Sequence, residues 1–306
     1  MKIATLSSLL HQSKKNWWHS HCQNYWGRRN LSFPTVTYAV TPQLDPREEN
    51  IRIRRQLALA YRIIDRMGLN EGACNHLSAM APAKNGQGEV MLVTPGLMED
   101  GSALHWSQIT ASSILGINTR NEIVEPGSLG GQPEDSAACI HLGLRRVVPK
   151  AKVIFHTHTD YATVLGCLRT SKFPMIHQNG IRFFGRVAFH EEYGLPSDKD
   201  ESELLGTYFT GDKTDVLFMC NHGTLLTSPT VHLAFDETYY LERACSNICK
   251  SLSAVGGSTD RLKTMPTNLV EDCAEFFTPE KLDLYAKRHF YAYWNLYLKQ
   301  EPEVFS

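Results

Sequence analysis

Two histidines separated by one residue follow a short apolar segment near the middle of the chain. Residues 153–155 (VIF) have the composition of a buried strand, and His156, Thr157 and His158 come directly after them. Side chains two residues apart project from the same face of an extended backbone, so both imidazoles can reach one ion. Neutral imidazole binds zinc and other late transition metals. On its own, the pair is equally compatible with two ordinary surface or core histidines.

A third histidine follows a second strand-like segment. Residues 216–220 (VLFMC) are apolar and run directly into Asn221, His222 and Gly223. Glycine permits a sharp turn that would aim His222 inward. The carboxyl ends of strands are where α/β sheets build their sites. The two segments together therefore predict a catalytic site with three histidines.

The elements that must hold these histidines can be predicted from local patterns. Asp45, Pro46 and Glu48 form a helix start signal, and apolar residues at three- and four-residue spacing continue the helix to about residue 67, where Gly68 ends it. An alternation of strands and helices is typical of an α/β fold. Here, strand-like segments at 90–94, 153–155 and 216–220 alternate with helical segments at 135–147, 161–169 and 231–252.

A last amphipathic segment spans residues 279–298 and is too aromatic for a helix surrounded by solvent. We expect it to dock on the body of the protein or on a neighbouring subunit. These boundaries divide the chain into an N-terminal extension (residues 1–44), a main domain (residues 45–255) and a C-terminal helical extension (residues 256–306).

The bulk composition excludes several classes of protein. The 306 residues are 42% hydrophobic and 21% charged, as in an ordinary globular protein, and the formal net charge of -1 supplies no basic field for nucleic acid. No apolar run approaches the roughly 20 residues that a membrane-spanning helix needs. The eight cysteines form no CxxC pair and are too dilute for a disulfide scaffold. We therefore expect a reducing compartment, no nucleic-acid partner and no membrane span.

The first 44 residues contain no aspartate or glutamate but carry several lysines, arginines and serines. Such a composition resembles a mitochondrial transit peptide. Trp17, Trp18 and Trp26 favour instead an arm that wraps around a neighbouring subunit, because these side chains gain energy only when they are buried. The expected location is accordingly cytoplasmic, or mitochondrial if the extension is a transit peptide.

Several short motifs follow one another along the chain. They are residues 68–79 (GLNEGACNHLSA), 104–107 (LHWS), 140–142 (IHL), 156–163 (HTHTDYAT) and 221–224 (NHGT). With these motifs in this order, the chain resembles the class II aldolase and adducin family from about residue 57 to residue 252.

The resemblance implies a three-layer α/β/α domain that binds zinc or another divalent transition metal. Its metal ligands would be His156, His158 and His222. Substrate contacts would fall on Asn75, Thr94 and Gly96. Family members commonly form tetramers, so a homo-oligomer that acts on a small carbonyl compound is expected.

The chain departs from the family's aldolases at the residue that transfers protons. Their catalytic glutamate lies four residues before a helix histidine, here His141, and that position holds Ala137. Glu134 or Asp135 can substitute, although both can equally be acidic residues at a helix start. The paired serines that help to bind a substrate phosphate are also absent, which argues against a phosphorylated sugar.

Other residues are candidates for a role near the metal. Tyr161, three residues after His158, is the preferred partner of Glu134 in proton transfer, with a core tyrosine as the alternative. Glu192 is a candidate for an exchangeable fourth ligand. His76 and His141 are candidates for residues that contact the metal ligands without binding the metal.

Two classes of function follow from these residues. The first is a zinc-dependent lyase of the aldolase type that stabilises an enediolate; decarboxylation, epimerisation and dehydration run through the same intermediate. The second is an adducin-like binding or scaffold protein without turnover, which Ala137 and the adducin-like pair Asn75 and His76 favour. Hydrolysis, with Glu134 or Glu192 as base, ranks last.

Overall fold

The computed structural model of the protein describes residues 45–169, 172–192, 199–211 and 213–306. The predicted N-terminal extension, with its two interpretations, lies outside the described residues. None of the helices in the described ranges is long and apolar enough to cross a membrane.

The first helix, α1 (Pro46–Arg66), begins and ends where the sequence indicates. Pro46 occupies its first turn, and Gly68 follows it with a φ of 65°, a left-handed conformation that glycine adopts without strain. The predicted cap is only partly correct. Asp45 precedes the helix, but its side chain makes no capping hydrogen bond.

The remaining elements alternate largely as predicted. The helix that follows the histidine pair is shorter than expected, because the Gly166 carbonyl accepts a hydrogen bond from the Asn221 amide. The strands are β1 (His76–Pro82), β2 (Glu89–Val93), β3 (Pro95–Leu97), β4 (Leu115–Ile117), β5 (Ile123–Glu125), β6 (Gln132–Pro133), β7 (Val153–Thr157), β8 (Val187–His190), β9 (Val216–Met219) and β10 (Gly223–Ser228). The helices after α1 are α2 (Asp135–Val147), α3 (Asp160–Gly166), α4 (Lys199–Thr207), α5 (Val231–Ala254), α6 (Thr267–Ala274) and α7 (Pro279–Gln300).

Eight of these strands form one sheet in the order β5-β4-β2-β1-β7-β10-β9-β8, and β3 pairs separately with β6. Neighbouring strands of the large sheet are antiparallel except β8 and β9, which are parallel. Both β7 and β9 are antiparallel to β10, which lies between them. Their carboxyl ends therefore meet at the same edge of the sheet.

Helices cover both faces of the sheet, which confirms the predicted three-layer α/β/α architecture. Successive residues of β7 enter different cores. Phe155 packs with α1 and α5, whereas Ile154 packs with Leu144 of α2 and Leu205 of α4. This alternation is the period-two pattern of a strand that is buried on both sides.

The C-terminal helix α7 docks on the body of the protein. Phe290 and Tyr297 are fully buried in the same core cluster as Leu57 of α1, and Val304 and Phe305 beyond the helix end belong to it as well. Burial against α1 and α5 thus explains Phe290 and Tyr297, whereas Tyr285 and Tyr291 of the same helix are exposed.

A buried ion pair joins α1 to the sheet. The Arg54 guanidinium lies 2.6 Å from a carboxylate oxygen of Glu125, and the two side chains are only 3% and 10% exposed. Asn50 completes the cluster, because its side chain accepts from Arg54 and donates to Glu125. Removing one partner from such a pair leaves an uncompensated buried charge.

We therefore expect Glu125→Gln to lower the free energy of unfolding by about 3 kcal/mol, because Arg54 loses its counter-ion. The control is Glu122→Gln, which removes the exposed pair between Glu122 and Arg120 and should cost less than about 1 kcal/mol. Urea denaturation of both variants measures the difference. Equal losses for the two variants would contradict the importance assigned to the buried pair.

Candidate metal centre

The structure brings the three predicted histidines together. His156 is the penultimate residue of β7, His158 follows that strand, and His222 lies in the turn between β9 and β10. Their ligand nitrogen atoms all lie within 4.8 Å of one another. This grouping follows from the sheet topology, since β7 and β9 end at the same edge.

The tight turn that presents His222 depends on two residues with different roles. Sequence analysis assigned the sharp turn to Gly223, but the left-handed residue is Asn221, with a φ of 60°. Gly223 is needed for space instead. A Cβ atom there would lie 2.4 Å from Cδ2 of His158 and 2.7 Å from the Thr157 carbonyl oxygen. Glycine at this position therefore allows β10 to begin directly beside the His158 ring.

Hydrogen bonds orient two of the rings. Nδ1 of His156 lies 3.1 Å from the Thr224 carbonyl oxygen, and Nδ1 of His158 lies 2.5 Å from a carboxylate oxygen of Glu71. Both partners can only accept, so each Nδ1 carries the hydrogen and each Nε2 of a neutral ring presents a lone pair. These contacts are typical of the groups that fix metal-binding histidines.

The two Nε2 atoms of His156 and His158 are only 3.0 Å apart. Two lone pairs at this distance repel each other unless a cation lies between them. Nitrogens that bind one tetrahedral zinc ion at about 2.1 Å are about 3.4 Å apart, which is close to this separation. The donor set therefore fits a divalent transition metal.

The protein environment favours the neutral form of two of the rings, as metal binding requires. Burial, followed by the neighbouring His76, His158 and His222, holds the pKa of His156 well below its usual value. Burial, followed by His158, lowers the pKa of His222 to about 4. Within the described ranges, no other group of histidine, cysteine or acidic side chains is arranged to hold an ion.

Glu71 is a residue of this site that sequence analysis did not single out. It lies in the loop before β1, 87 positions from the histidine that it contacts. Its backbone amide donates to Oδ1 of Asn75, which also accepts from the His158 amide at 3.3 Å. The Asn75 carboxamide thus ties this loop to the end of β7.

A small cavity is lined by His76, whose ring centre lies 4.8 Å from that of His156, and by none of the three predicted metal ligands. It is lined by residues from the loop before β1, from β1 and β3 and from the start of α2, including Asn75, His76, Thr94, Gly96, Glu134 and Ala137. Nδ2 of Asn75 is buried and has no hydrogen-bond partner among the described residues. Thr94 uses its hydroxyl hydrogen on Tyr61, at 3.1 Å, which leaves its oxygen available as an acceptor.

Glu134 lies closer to this cavity than Asp135 does. Glu134 precedes α2 in an extended conformation, and its carboxylate lies 3.9 Å from Nε2 of His76 and accepts from the Ser136 hydroxyl. Gly96 lies directly against it, because a Cβ atom there would be 2.3 Å from Cβ of Glu134. Asp135 is exposed in the first turn of α2, as expected of an acidic residue at a helix start.

The other candidates lie elsewhere. The amides of Tyr161 and Ala162 donate to the Glu242 carboxylate at 2.9 and 3.0 Å, and the Tyr161 ring lies 4.9 Å from Nζ of Lys250. Tyr161 does not line the cavity. Glu242, a residue that sequence analysis did not single out, caps the start of α3. Glu192 is exposed and outside the histidine group.

Next to His156, a chain of hydrogen bonds joins His76 and His141, the two histidines predicted to support the ligands. Nδ1 of His76 lies 2.8 Å from Nε2 of His141, and Nδ1 of His141 contacts the Ser78 hydroxyl. The ring centres of His76 and His156 are 4.8 Å apart. Burial, followed by neighbouring charges, lowers the pKa of both His76 and His141 well below the usual value, so both rings are neutral.

The chain is similar in sequence and in structure to known proteins. Rat (Rattus norvegicus) alpha-adducin is 28% identical over 219 residues, which cover 71% of this chain but only 27% of alpha-adducin. The chain thus spans about a quarter of that relative. An aldolase II superfamily protein from Pseudomonas syringae superposes with a TM-score of 0.71 at 25% identity, covering 86% of this chain and 98% of that one.

A second solved structure shares the fold alone. L-fuculose 1-phosphate aldolase from Glaciozyma antarctica PI12 superposes with a TM-score of 0.68 at 18% identity, covering 84% of this chain and 94% of that one. A sequence profile of the family described as Class II Aldolase and Adducin N-terminal domain matches residues 55–249, a span that contains all three histidines, Glu71 and Glu134. The chain therefore belongs to the class II aldolase and adducin N-terminal domain family.

Proposed function

We propose that this protein is a metal-dependent lyase of the aldolase type that acts on a small hydroxy-carbonyl compound. His156, His158 and His222 would hold zinc or another divalent transition metal. The observation that carries the proposal is the 3.0 Å approach of two imidazole lone pairs, each ring being oriented by a hydrogen bond from its Nδ1. Two inward-facing lone pairs at this distance support a bound cation between the rings.

When bound, the metal supplies a Lewis acid that polarises a substrate carbonyl group. The protein's own residues do the remaining work. Glu71 and the Thr224 carbonyl orient the two rings, and Asn75 fixes the backbone at His158. Preorganised groups of this kind avoid a reorganisation cost during the reaction.

Glu134 is the proposed proton-transfer group, because it is the carboxylate that lines the cavity. In the cleavage direction it accepts the proton of the substrate hydroxyl whose carbon becomes an aldehyde. The electron pair of the breaking C–C bond stays with the carbonyl-bearing fragment, to which Glu134 returns the proton. The same proton is removed and returned, so the substrate divides into two carbonyl compounds without a further reactant.

The proposed substrate contacts are Asn75, Thr94 and Gly96, all of which line the cavity. Tyr161 remains a second candidate for proton transfer, although its ring lies against Lys250. Decarboxylation and epimerisation can use the same polarised carbonyl group. A homotetramer remains a proposal for this chain.

The second candidate function is a binding role without turnover, as in an adducin-like scaffold. Two observations favour it: the 28% identity with alpha-adducin, and Ala137, which is fully buried against Met91 and Leu115 and supplies no acid or base. Metal binding separates the two candidates, since a scaffold has no need of a stoichiometric ion.

The metal site predicts a specific pattern of zinc contents. We expect about one zinc per chain in the wild-type protein and loss of zinc in His158→Ala. Glu71→Gln should retain zinc but bind it about 10- to 100-fold more weakly, since it loses the group that orients His158. His177→Ala, at an exposed histidine outside the site, is the control. Elemental analysis and chelator competition measure these values; zinc in His158→Ala equal to wild type would refute the site.

The proton-transfer assignment predicts an order of effects on turnover. Screening hydroxy-carbonyl compounds with the zinc-loaded protein supplies the assay substrate. Glu134→Gln should then lower kcat by about 100-fold or more with zinc content unchanged, because a positioned acid/base group contributes at least that much. The matched control, Asp135→Asn, should be near wild type, and Tyr161→Phe should have a smaller effect than Glu134→Gln. Equal kcat values for Glu134→Gln and Asp135→Asn would exclude Glu134.

A further inference from the structure

The hydrogen-bond chain of Ser78, His141 and His76 has a defined direction. His141 and Ser78 are fully buried and His76 is 3% exposed, so solvent does not compete for these hydrogen bonds. Each neutral ring carries one hydrogen, on either Nδ1 or Nε2. Two directions are therefore available, and they differ in the end of the chain at which a donor is left over.

The Ser78 hydroxyl decides between these directions. Among the described residues its hydrogen-bond partner is Nδ1 of His141. If His141 donated to Ser78, the spare donor would be the hydroxyl of a fully buried serine, which no acceptor can reach; in the opposite direction the spare donor belongs to His76, which lines a cavity where an acceptor can bind. Ser78 therefore donates to Nδ1 of His141, and Nε2–H of His141 donates to Nδ1 of His76. The hydrogen of His76 must then reside on Nε2.

That Nε2–H belongs to a residue that lines the cavity. The nearest carboxylate oxygen of Glu134 is 3.9 Å away, which is beyond hydrogen-bond distance. Nδ2 of Asn75, the preceding residue, is a second buried donor without a partner. Asn75 cannot rotate to hide it, because its Oδ1 accepts from the amides of Glu71 and His158. Two N–H donors, from adjacent residues that both line this cavity, thus lack an acceptor among the described residues.

The lining of the cavity defines the acceptor that fits. Its volume is about 20 Å³, which leaves room for at least one water-sized group, since roughly 10 to 15 Å³ is enough for one. Among the described residues, no lysine or arginine lines it, whereas the Glu134 carboxylate does. A phosphate or carboxylate group would therefore meet a negative charge without a compensating cation. An uncharged oxygen, carbonyl or hydroxyl, fits this lining.

We propose that His76 is a substrate-binding residue whose Nε2–H, together with Nδ2 of Asn75, donates to one uncharged carbonyl or hydroxyl oxygen of the substrate beside Glu134. This inference rests on the proposed function and narrows it, because the end of the substrate that enters this cavity carries no phosphate or carboxylate group. His141 and Ser78 are positioning residues that act through His76.

The same geometry relates this oxygen to the metal ligands. The His76 ring lies between Glu134, 3.9 Å away, and His156, whose ring centre is 4.8 Å away. His76 also pairs with His156 across β1 and β7, so the spacing is set by the sheet. A substrate oxygen held by His76 therefore lies beside both the proton-transfer group and the histidine cluster.

The tautomer can be measured directly. Nitrogen-15 NMR of histidine-labelled protein, assigned with His76→Gln and His141→Gln, should show both rings protonated on Nε2. Ser78→Ala should shift the Nδ1 resonance of His141 as that nitrogen loses its donor. Protonation of His76 on Nδ1 would overturn the proposal, since Nε2 would then be an acceptor. This experiment needs neither metal nor substrate.

Binding of an uncharged probe tests the function of the donor. Isothermal titration calorimetry of zinc-loaded protein compares dihydroxyacetone with dihydroxyacetone phosphate. His76→Gln retains an N–H donor near the position of Nε2, whereas His76→Met has similar length and no donor. We expect His76→Met to bind dihydroxyacetone about 3- to 10-fold more weakly than His76→Gln, the effect of one hydrogen bond. The control His177→Gln should match wild type.

The outcomes separate the two proposals. Three results would overturn the role of His76 while leaving the metal site intact. They are equal affinities of His76→Met and His76→Gln, a wild-type preference for dihydroxyacetone phosphate, and failure of zinc-loaded protein to bind dihydroxyacetone. Absence of zinc from wild-type protein would instead refute the proposed function, whatever the tautomer. The circular dichroism spectrum and the zinc content of each His76 variant are compared with those of the wild type. If they agree, a difference in affinity reports the lost donor.

Discussion

The close approach of Nε2 of His156 and Nε2 of His158, 3.0 Å apart, is the contact on which the rest of the site depends. Each lone pair is directed inward because the opposite nitrogen of the ring is held by an acceptor, the Thr224 carbonyl or the Glu71 carboxylate. Repulsion between the lone pairs is relieved by a cation, and burial disfavours a charged His156 ring. A divalent metal, bound by neutral nitrogens, satisfies both conditions.

The order of the strands in the sheet fixes the position of these histidines. Because β10 lies between β7 and β9 and is antiparallel to both, two strands distant in sequence end side by side. Two glycines then permit contacts that a side chain would block: Gly223 beside His158, and Gly96 beside Glu134. The metal ligands and the cavity are therefore products of one sheet edge, where β1 also begins with His76.

Local sequence patterns predicted the histidine group, because an apolar strand followed by HxH or by Asn-His-Gly is visible within a few residues. The strand directions were not predictable in this way, since periodicity reports burial and not pairing partners; only β8 and β9 of the large sheet are parallel. The roles of Glu71 and Glu242 were not predicted, for a related reason. Their contacts with His158 and with the start of α3 span more than 80 residues and depend on the tertiary fold.

The choice between Glu134 and Asp135 illustrates the same limit. Both are acidic residues at a helix start, and the sequence alone left them open. The tertiary structure separates them, because the pairing of β3 with β6 brings Gly96 against Glu134 and turns its carboxylate toward His76, while Asp135 remains exposed. Glu134 thus places a carboxylate at the cavity that Ala137 also lines, three residues before the position where the family resemblance implies a glutamate.

The most direct test of the account is X-ray diffraction from crystals grown with zinc, with data collected on both sides of the zinc absorption edge. The account predicts one anomalous peak per chain, about 2.0 to 2.1 Å from Nε2 of His156, Nε2 of His158 and a ring nitrogen of His222. A map without a peak there, with the two Nε2 atoms still about as close as in the present structure, would show that a shared proton holds the rings together and would contradict the metal site.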